Sequence, residues 1–284
     1  MFYHLLYPLS DQISGLNLFR YITFRSAGAA ITALLISFII GPWIIRQLRS
    51  LQIREEIRDD GPQSHLTKAG TPTMGGLIIL AAIIIPTLLW ARLDNLYVGL
   101  ILLSTAWMGF VGFYDDYLKA VKKMKKGLVA RYKLAGQISL GLVIGIILLI
   151  APKSLGVNFS LHITETTVPF FKNALFNFGI FYVPMIIFII TATSNGVNLT
   201  DGLDGLAIGV VGIAATALGL IAYISGHIQF SDYLNIVYLE GCGELAVFCS
   251  ALMGAALGFL WFNAHPAQIF MGDTGSLALG GAIG

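Results

Sequence analysis

The sequence predicts an all-α fold, a polytopic membrane helix bundle, and three observations carry that prediction. Hydrophobic residues make up 56% of the 284-residue chain and charged residues only 11%, where soluble domains carry about 25% charged residues. Apolar runs of about 20 residues, the length that crosses a hydrocarbon core about 30 Å thick, recur between short polar segments. Basic residues are also asymmetric: five lie in 46–73 and seven in 119–133, together 12 of the 17 Lys and Arg. Membrane topology explains that clustering, and no nucleic-acid partner is expected.

Taken in order, the apolar runs place spans near 24–45, 74–91, 96–113, 134–151, 174–193, 205–224 and 245–262. An eighth run starts near Leu277 and reaches Gly284. Eight residues give roughly 12 Å of helix, too little to cross. The expectation is therefore a native chain that continues, with residues 1–284 forming one transmembrane catalytic domain truncated at its C-terminus. Residues 1–23 lack the basic start, apolar core and cleavage site of a removable signal peptide, so the first span does the targeting. Cys242 and Cys249 form neither a disulfide framework nor a spaced metal site and are expected to pack.

The basic loops 46–73 and 114–133 are two spans apart and share a side, which their charge marks as cytoplasmic. The N-terminus is then outside, and parity puts 194–204 and 263–276 on the cytoplasmic side as well. Polar residues suited to phosphate and metal chemistry crowd into these four segments. The outer loops hold only scattered ones such as Asp94, Glu165 and Asp232.

The first segment reads Lys68-Ala-Gly-Thr-Pro-Thr73-Met-Gly-Gly, where glycines permit close backbone approach and Lys68 and Thr73 offer donors to an anion. A turn leading into the second span is the plainer alternative. The second segment opens with Asp115-Asp116, and on a continuing helix Lys119 shares their face. Two adjacent carboxylates at a helix C-terminus are unfavourable unless lysines or a metal offset them. Lys122, Lys123, Lys125 and Lys126 read as topology determinants and contacts to membrane lipids, whereas Arg131 and Lys133 are candidate phosphate contacts.

The third segment, Ser194-Asn195-Gly-Val-Asn198-Leu-Thr-Asp201-Gly-Leu-Asp204-Gly, is read as a loop leading to a helix start, with Asp201 and Asp204 facing one way. Helix capping by Asn198, Thr200 or Asp201 is the bland alternative. In the fourth segment, from Asn263 to Ser276, a nucleobase could stack on Phe270 and hydrogen-bond to Asn263, while Asp273 could hold Mg²⁺. His265, beside a proline, is read as structural.

At these four segments the sequence resembles the phospho-N-acetylmuramoyl-pentapeptide transferases, within the wider polyprenyl-phosphate sugar-phosphate transferases. The matching stretches are Asp115-Asp116, Asn-Leu-Thr-Asp-Gly-Leu-Asp-Gly at 198–205, Phe-Met-Gly-Asp-Thr-Gly-Ser at 270–276, and Gly-Thr-Pro-Thr-Met-Gly-Gly at 70–76. The resemblance implies ten spans in the bacterial cytoplasmic membrane, an outer N-terminus, Mg²⁺ dependence, a homodimer and a histidine-rich loop beyond residue 284.

It also implies that undecaprenyl phosphate attacks the β-phosphorus of UDP-MurNAc-pentapeptide, giving lipid I and UMP at the cytoplasmic face. Asp273 then holds Mg²⁺. Lys68, Thr73, Lys119 and Lys133 meet substrate anions or polar groups. Asn198, Asp201, Asp204, Asn263 and Phe270 lie on the nucleotide side, Asn195 is a further substrate-binding residue, and Asp115 or Asp116 is the base or lipid-phosphate organiser. A direct attack is favoured over an aspartyl-phosphate route. Two other classes stay open at this point. A membrane prenyltransferase also sets aspartates on the cytoplasmic side but gives no reason for the Phe270–Asp273 loop. A transporter would carry charge near mid-depth, which the second, fourth and seventh spans lack.

Overall fold

The computed structural model describes residues 1–52, 70–124, 127–168, 171 and 174–284. Its helices in chain order are α1 (Phe2–Leu6), α2 (Ile22–Ser50), α3 (Gly76–Trp90), α4 (Leu96–Ala120), α5 (Ala130–Ile150), α6 (Val157–Leu161), α7 (Tyr182–Thr200), α8 (Leu206–Ser225), α9 (Ile228–Leu234), α10 (Leu245–Asn263) and α11 (Gly272–Ile283). A two-stranded antiparallel hairpin, β1 (Glu165–Thr167) with β2 (Leu175–Asn177), pairs Glu165 with Asn177. The fold is all-α apart from this hairpin.

Among the described residues six helices are long and apolar enough to cross a membrane, within Ile22–Ser50, Leu96–Ala120, Ala130–Ile150, Gly179–Thr200, Leu206–Ser225 and Cys242–Asn263. The second expected span is the shorter α3, of 15 residues. At 1.5 Å per residue that is about 22 Å, less than a hydrocarbon core of about 30 Å. Its chain instead enters through Pro72, a bridge position, and a turn at Met74. The fifth span is displaced from the expected 174–193, because Leu175-Phe176-Asn177 pairs as a strand and the helix begins at Tyr182. Ser194, Asn195 and Asn198 therefore sit in the last turns of α7, and not in a loop.

The bundle is organised around α10, which packs on α2, α8 and α3. Small residues allow the approach: a Cβ on Gly254 would collide with the Ala30 carbonyl of α2, the close packing typical of membrane helices. A second layer sets α11 against α4, α7 and α3. Cys242 and Cys249 are free and buried, as packing residues should be.

Successive helices alternate in direction, so the C-terminal ends of α2, α4, α7 and α10 lie with the N-terminal ends of α3, α5, α8 and α11. The opposite end is closed by a buried pair in which Arg25 donates from both terminal nitrogens to Glu244, each at 2.6 Å. The Arg92 backbone N–H adds a third bond to Glu244 at 3.2 Å. Asn95 caps α4 by accepting from Tyr97 and Val98 and ties its amide to Gly241.

Candidate active site

Asp116 organises the site from below. Helix α11 begins with free backbone N–H groups and no side-chain cap of its own. Asp116, on α4, supplies one from another helix: it accepts from Asp273 N at 3.0 Å, Thr274 N at 2.8 Å and Thr274 Oγ1 at 2.6 Å. A carboxylate suits the positive end of a helix dipole. The contact is close enough that a Cβ on Gly112, one turn before Asp116, would collide with the Asp273 carbonyl.

A backbone zipper holds the same corner. Gly75 N donates to Phe270 O and Gly76 N to Met271 O, both at 2.8 Å, and Phe270 N donates to Pro72 O at 2.9 Å. Met74 takes a left-handed φ of 73° to make the turn. Gly272 has φ +74°, and a Cβ there would lie 2.6 Å from Asp116 Oδ2 and 3.2 Å from Thr73 Oγ1, so only glycine fits and Thr73 flanks Asp116.

Above this corner the charges gather. Asp115, Asp116 and Asp273 each offer an oxygen within 4.8 Å of the others. Lys119 donates to Asp273 Oδ2 at 3.0 Å and pairs with Asp115. Lys133, from α5, donates to Asp115 Oδ2 at 2.9 Å and also reaches Asp273 Oδ2. The other Asp273 oxygen accepts from Asn198 Nδ2 at 2.8 Å, and the same amide donates to Ser276 Oγ. Leu128 N closes the remaining side of Asp115. Three carboxylates against two ammonium groups leave a formal charge of −1 when all are ionised. Hard, closely spaced carboxylate oxygens could hold a metal ion.

The structure thus brings together Asp115, Asp116, Asp273, Lys119, Lys133, Asn198 and Thr73. Asp116 engages α11 with both oxygens and so clamps that helix to α4. Asn198 donates to Asp273. Asn195 is paired with Gln137 through two bonds of 3.2 Å. Asn263 is buried, accepting from Gly205 N at 3.1 Å and donating to Ile269 O at 2.9 Å, so its amide closes a loop. Helix α8 is preceded by Gly205 in the left-handed region, which takes the N-cap position. Asp204 accepts from Ala267 N and pairs with His265 at 3.1 Å, which agrees with a structural His265. Phe270 is half-buried at the zipper, and Arg131 lies over the Tyr132 ring. Lys68 falls outside the described residues. Sequence reasoning missed Gln137, Thr274 and Ser276, although a glutamine within an apolar run is itself a signal, since a buried amide in a span needs a partner.

Residues 98–284 match the family described as glycosyl transferase family 4, and residues 68–80 match the phospho-N-acetylmuramoyl-pentapeptide-transferase signature 1. That signature covers residues 72–76, one side of the zipper. A phospho-N-acetylmuramoyl-pentapeptide-transferase of Gemmatimonas aurantiaca is 54% identical over the whole chain, which covers 76% of that relative. Those of Thermodesulfovibrio yellowstonii and Citrifermentans bemidjiense are 51% and 53% identical, again over the whole chain and 77% of each relative. With about half of its residues identical to each of these relatives over its whole length, the chain belongs to the phospho-N-acetylmuramoyl-pentapeptide-transferase family.

Proposed function

We propose that this chain is one transmembrane catalytic domain that transfers phospho-N-acetylmuramoyl-pentapeptide from UDP to undecaprenyl phosphate. The product is lipid I, an intermediate of peptidoglycan synthesis, and UMP leaves. The observation that supports this most directly is the assembly at one end of the bundle of Asp115, Lys119 and Lys133 with Asp273, which is 154 positions from Lys119 and 140 from Lys133.

An oxygen of the lipid phosphate forms a bond to the β-phosphorus, and the bond from that phosphorus to the bridging oxygen breaks, its electron pair leaving with UMP. Such a transfer is governed by positioning and charge neutralisation. Lys119 and Lys133 place two ammonium groups where the diphosphate and the incoming phosphate must meet. Asp115 and Asp273 are the residues that would hold Mg²⁺, which would supply charge neutralisation on phosphate oxygens. Asp116 and Asn198 hold Asp273 in place, and the carboxylate-bound lysines cannot swing away without losing two partners each. A phosphate monoester is largely ionised at neutral pH, so no strong base is demanded. Thr73 and Phe270 flank this corner, where Phe270 would stack on the nucleobase.

The basic segments put this end of the bundle on the cytoplasmic side of the bacterial membrane and the Arg25–Glu244 end outside, and the working unit is a homodimer. The test is transfer of label from UDP-MurNAc-pentapeptide to undecaprenyl phosphate in detergent, with and without Mg²⁺. Lipid I formed only with Mg²⁺ is the expected result. No transfer to the polyprenyl phosphate under either condition would overturn the reading.

A further inference from the structure

Helices α5 and α7 each deliver one donor to Asp273: Lys133 to Oδ2 and Asn198 to Oδ1. What sets these two helices in register lies one turn away on each. Gln137, fully buried, donates to Asn195 Oδ1 and to Ser194 Oγ, and its own carbonyl accepts from Asn195 Nδ2, all at 3.2 Å. These are the side-chain hydrogen bonds between α5 and α7 among the described residues. Further along the same face of α5, at steps of four, come Gly141 and Gly145. A Cβ at either would lie 2.8 Å from Ile187 Cα or 2.9 Å from Val183 Cγ1, respectively.

This seam has two parts with different physics. The glycine stretch lets the backbones approach, as in other membrane helix pairs, but a smooth groove has no knobs to oppose sliding along the axis. The amide pair does oppose it. Each amide must present its oxygen and its nitrogen to the complementary atoms of the other, and a slip of one residue, about 1.5 Å of rise, takes the bonds out of range. An amide left unpaired in an apolar interior is costly, so the alternative registers are disfavoured. We propose that Gln137 is a positioning residue: its reciprocal amide pair with Asn195 fixes α5 against α7 and so holds Lys133 and Asn198 on opposite oxygens of Asp273. The proposal rests on the transferase reading for its kinetic consequence only.

Three variants test it in the full-length protein: Gln137→Leu, Asn195→Leu, and the exchange Gln137→Asn with Asn195→Gln, which keeps the combined side-chain length. The single variants should lower kcat about 10- to 100-fold, because misplacing a catalytic group by about 1 Å has effects of that order, while KM for both substrates stays close to the unsubstituted value. The exchange should recover most of kcat. In parallel, hydrogen exchange should quicken in 130–137 and 193–200 for the single variants and return in the exchange variant. Unchanged kcat in the single variants, a rise in KM alone, or an exchange variant as impaired as the single ones would overturn the proposal. The exchange measurement needs no turnover: an inactive unsubstituted protein would count against the transferase reading, while unaltered hydrogen exchange in Gln137→Leu would count against the register role.

Discussion

Asp116 and Thr274 are joined twice, the carboxylate accepting from both the backbone N–H and the hydroxyl of the threonine at 2.8 and 2.6 Å. Asp116→Ala should therefore act on stability first. It leaves buried donors at the start of α11 unsatisfied, at about 1–3 kcal/mol each, and it should lower the thermal midpoint in detergent together with activity. Full stability with activity lost would return Asp116 to a direct chemical role.

Asp273→Asn should behave in the opposite way. Its amide can still accept from Asn198, but it removes the negative charge that Lys119 and Lys133 share and that Mg²⁺ would bind. Turnover should nearly vanish while membrane insertion and melting stay close to normal. Turnover comparable to the unsubstituted enzyme at saturating Mg²⁺ would take Asp273 out of the metal site.

Phe270→Ala should weaken the nucleotide substrate more than the lipid one, because stacking on a base is worth about 1–3 kcal/mol. The backbone bonds of Phe270 to Pro72 and Gly75 survive that change. Equal losses for both substrates would mark the ring as packing.

Arg25→Met and Glu244→Leu test the other end of the bundle. Either alone strands a buried charge and should cost about 3–5 kcal/mol, whereas the double replacement should recover most of the loss. Additive losses in the double variant would show that the two side chains act independently. The carboxylate cluster is at the far end, so KM should change little in the double variant.

Most of the bundle was legible because a span announces itself by length and apolarity, and α2, α4, α5, α8 and α10 lie within several residues of their expected places. The α7 shift was not, since Leu175-Phe176-Asn177 is as apolar as a helix start and only pairing with Glu165–Thr167 reveals a strand. The acidic residues of the site were readable from their clustering in segments on one side. The partners of the amides were not legible: Asn195, Asn198 and Asn263 are polar residues near phosphate-binding motifs, and only three-dimensional neighbours show that Gln137, Asp273 and Ile269 engage them.

The zipper between Gly75 and Phe270 also sets a timetable for biogenesis. Its two sides are 195 positions apart (270 − 75), which at about 5–20 residues per second takes the ribosome about 10–40 s to bridge. Throughout that interval the Pro72–Gly76 stretch has lost its future partner strand, and Asp116 waits on a finished α4 for a helix not yet made. Newborn chains must therefore hold these polar groups at the membrane surface, hydrated or chaperoned, until α11 arrives. Because Asp273 lies on α11, no nascent chain that stops short of this helix contains the carboxylate cluster.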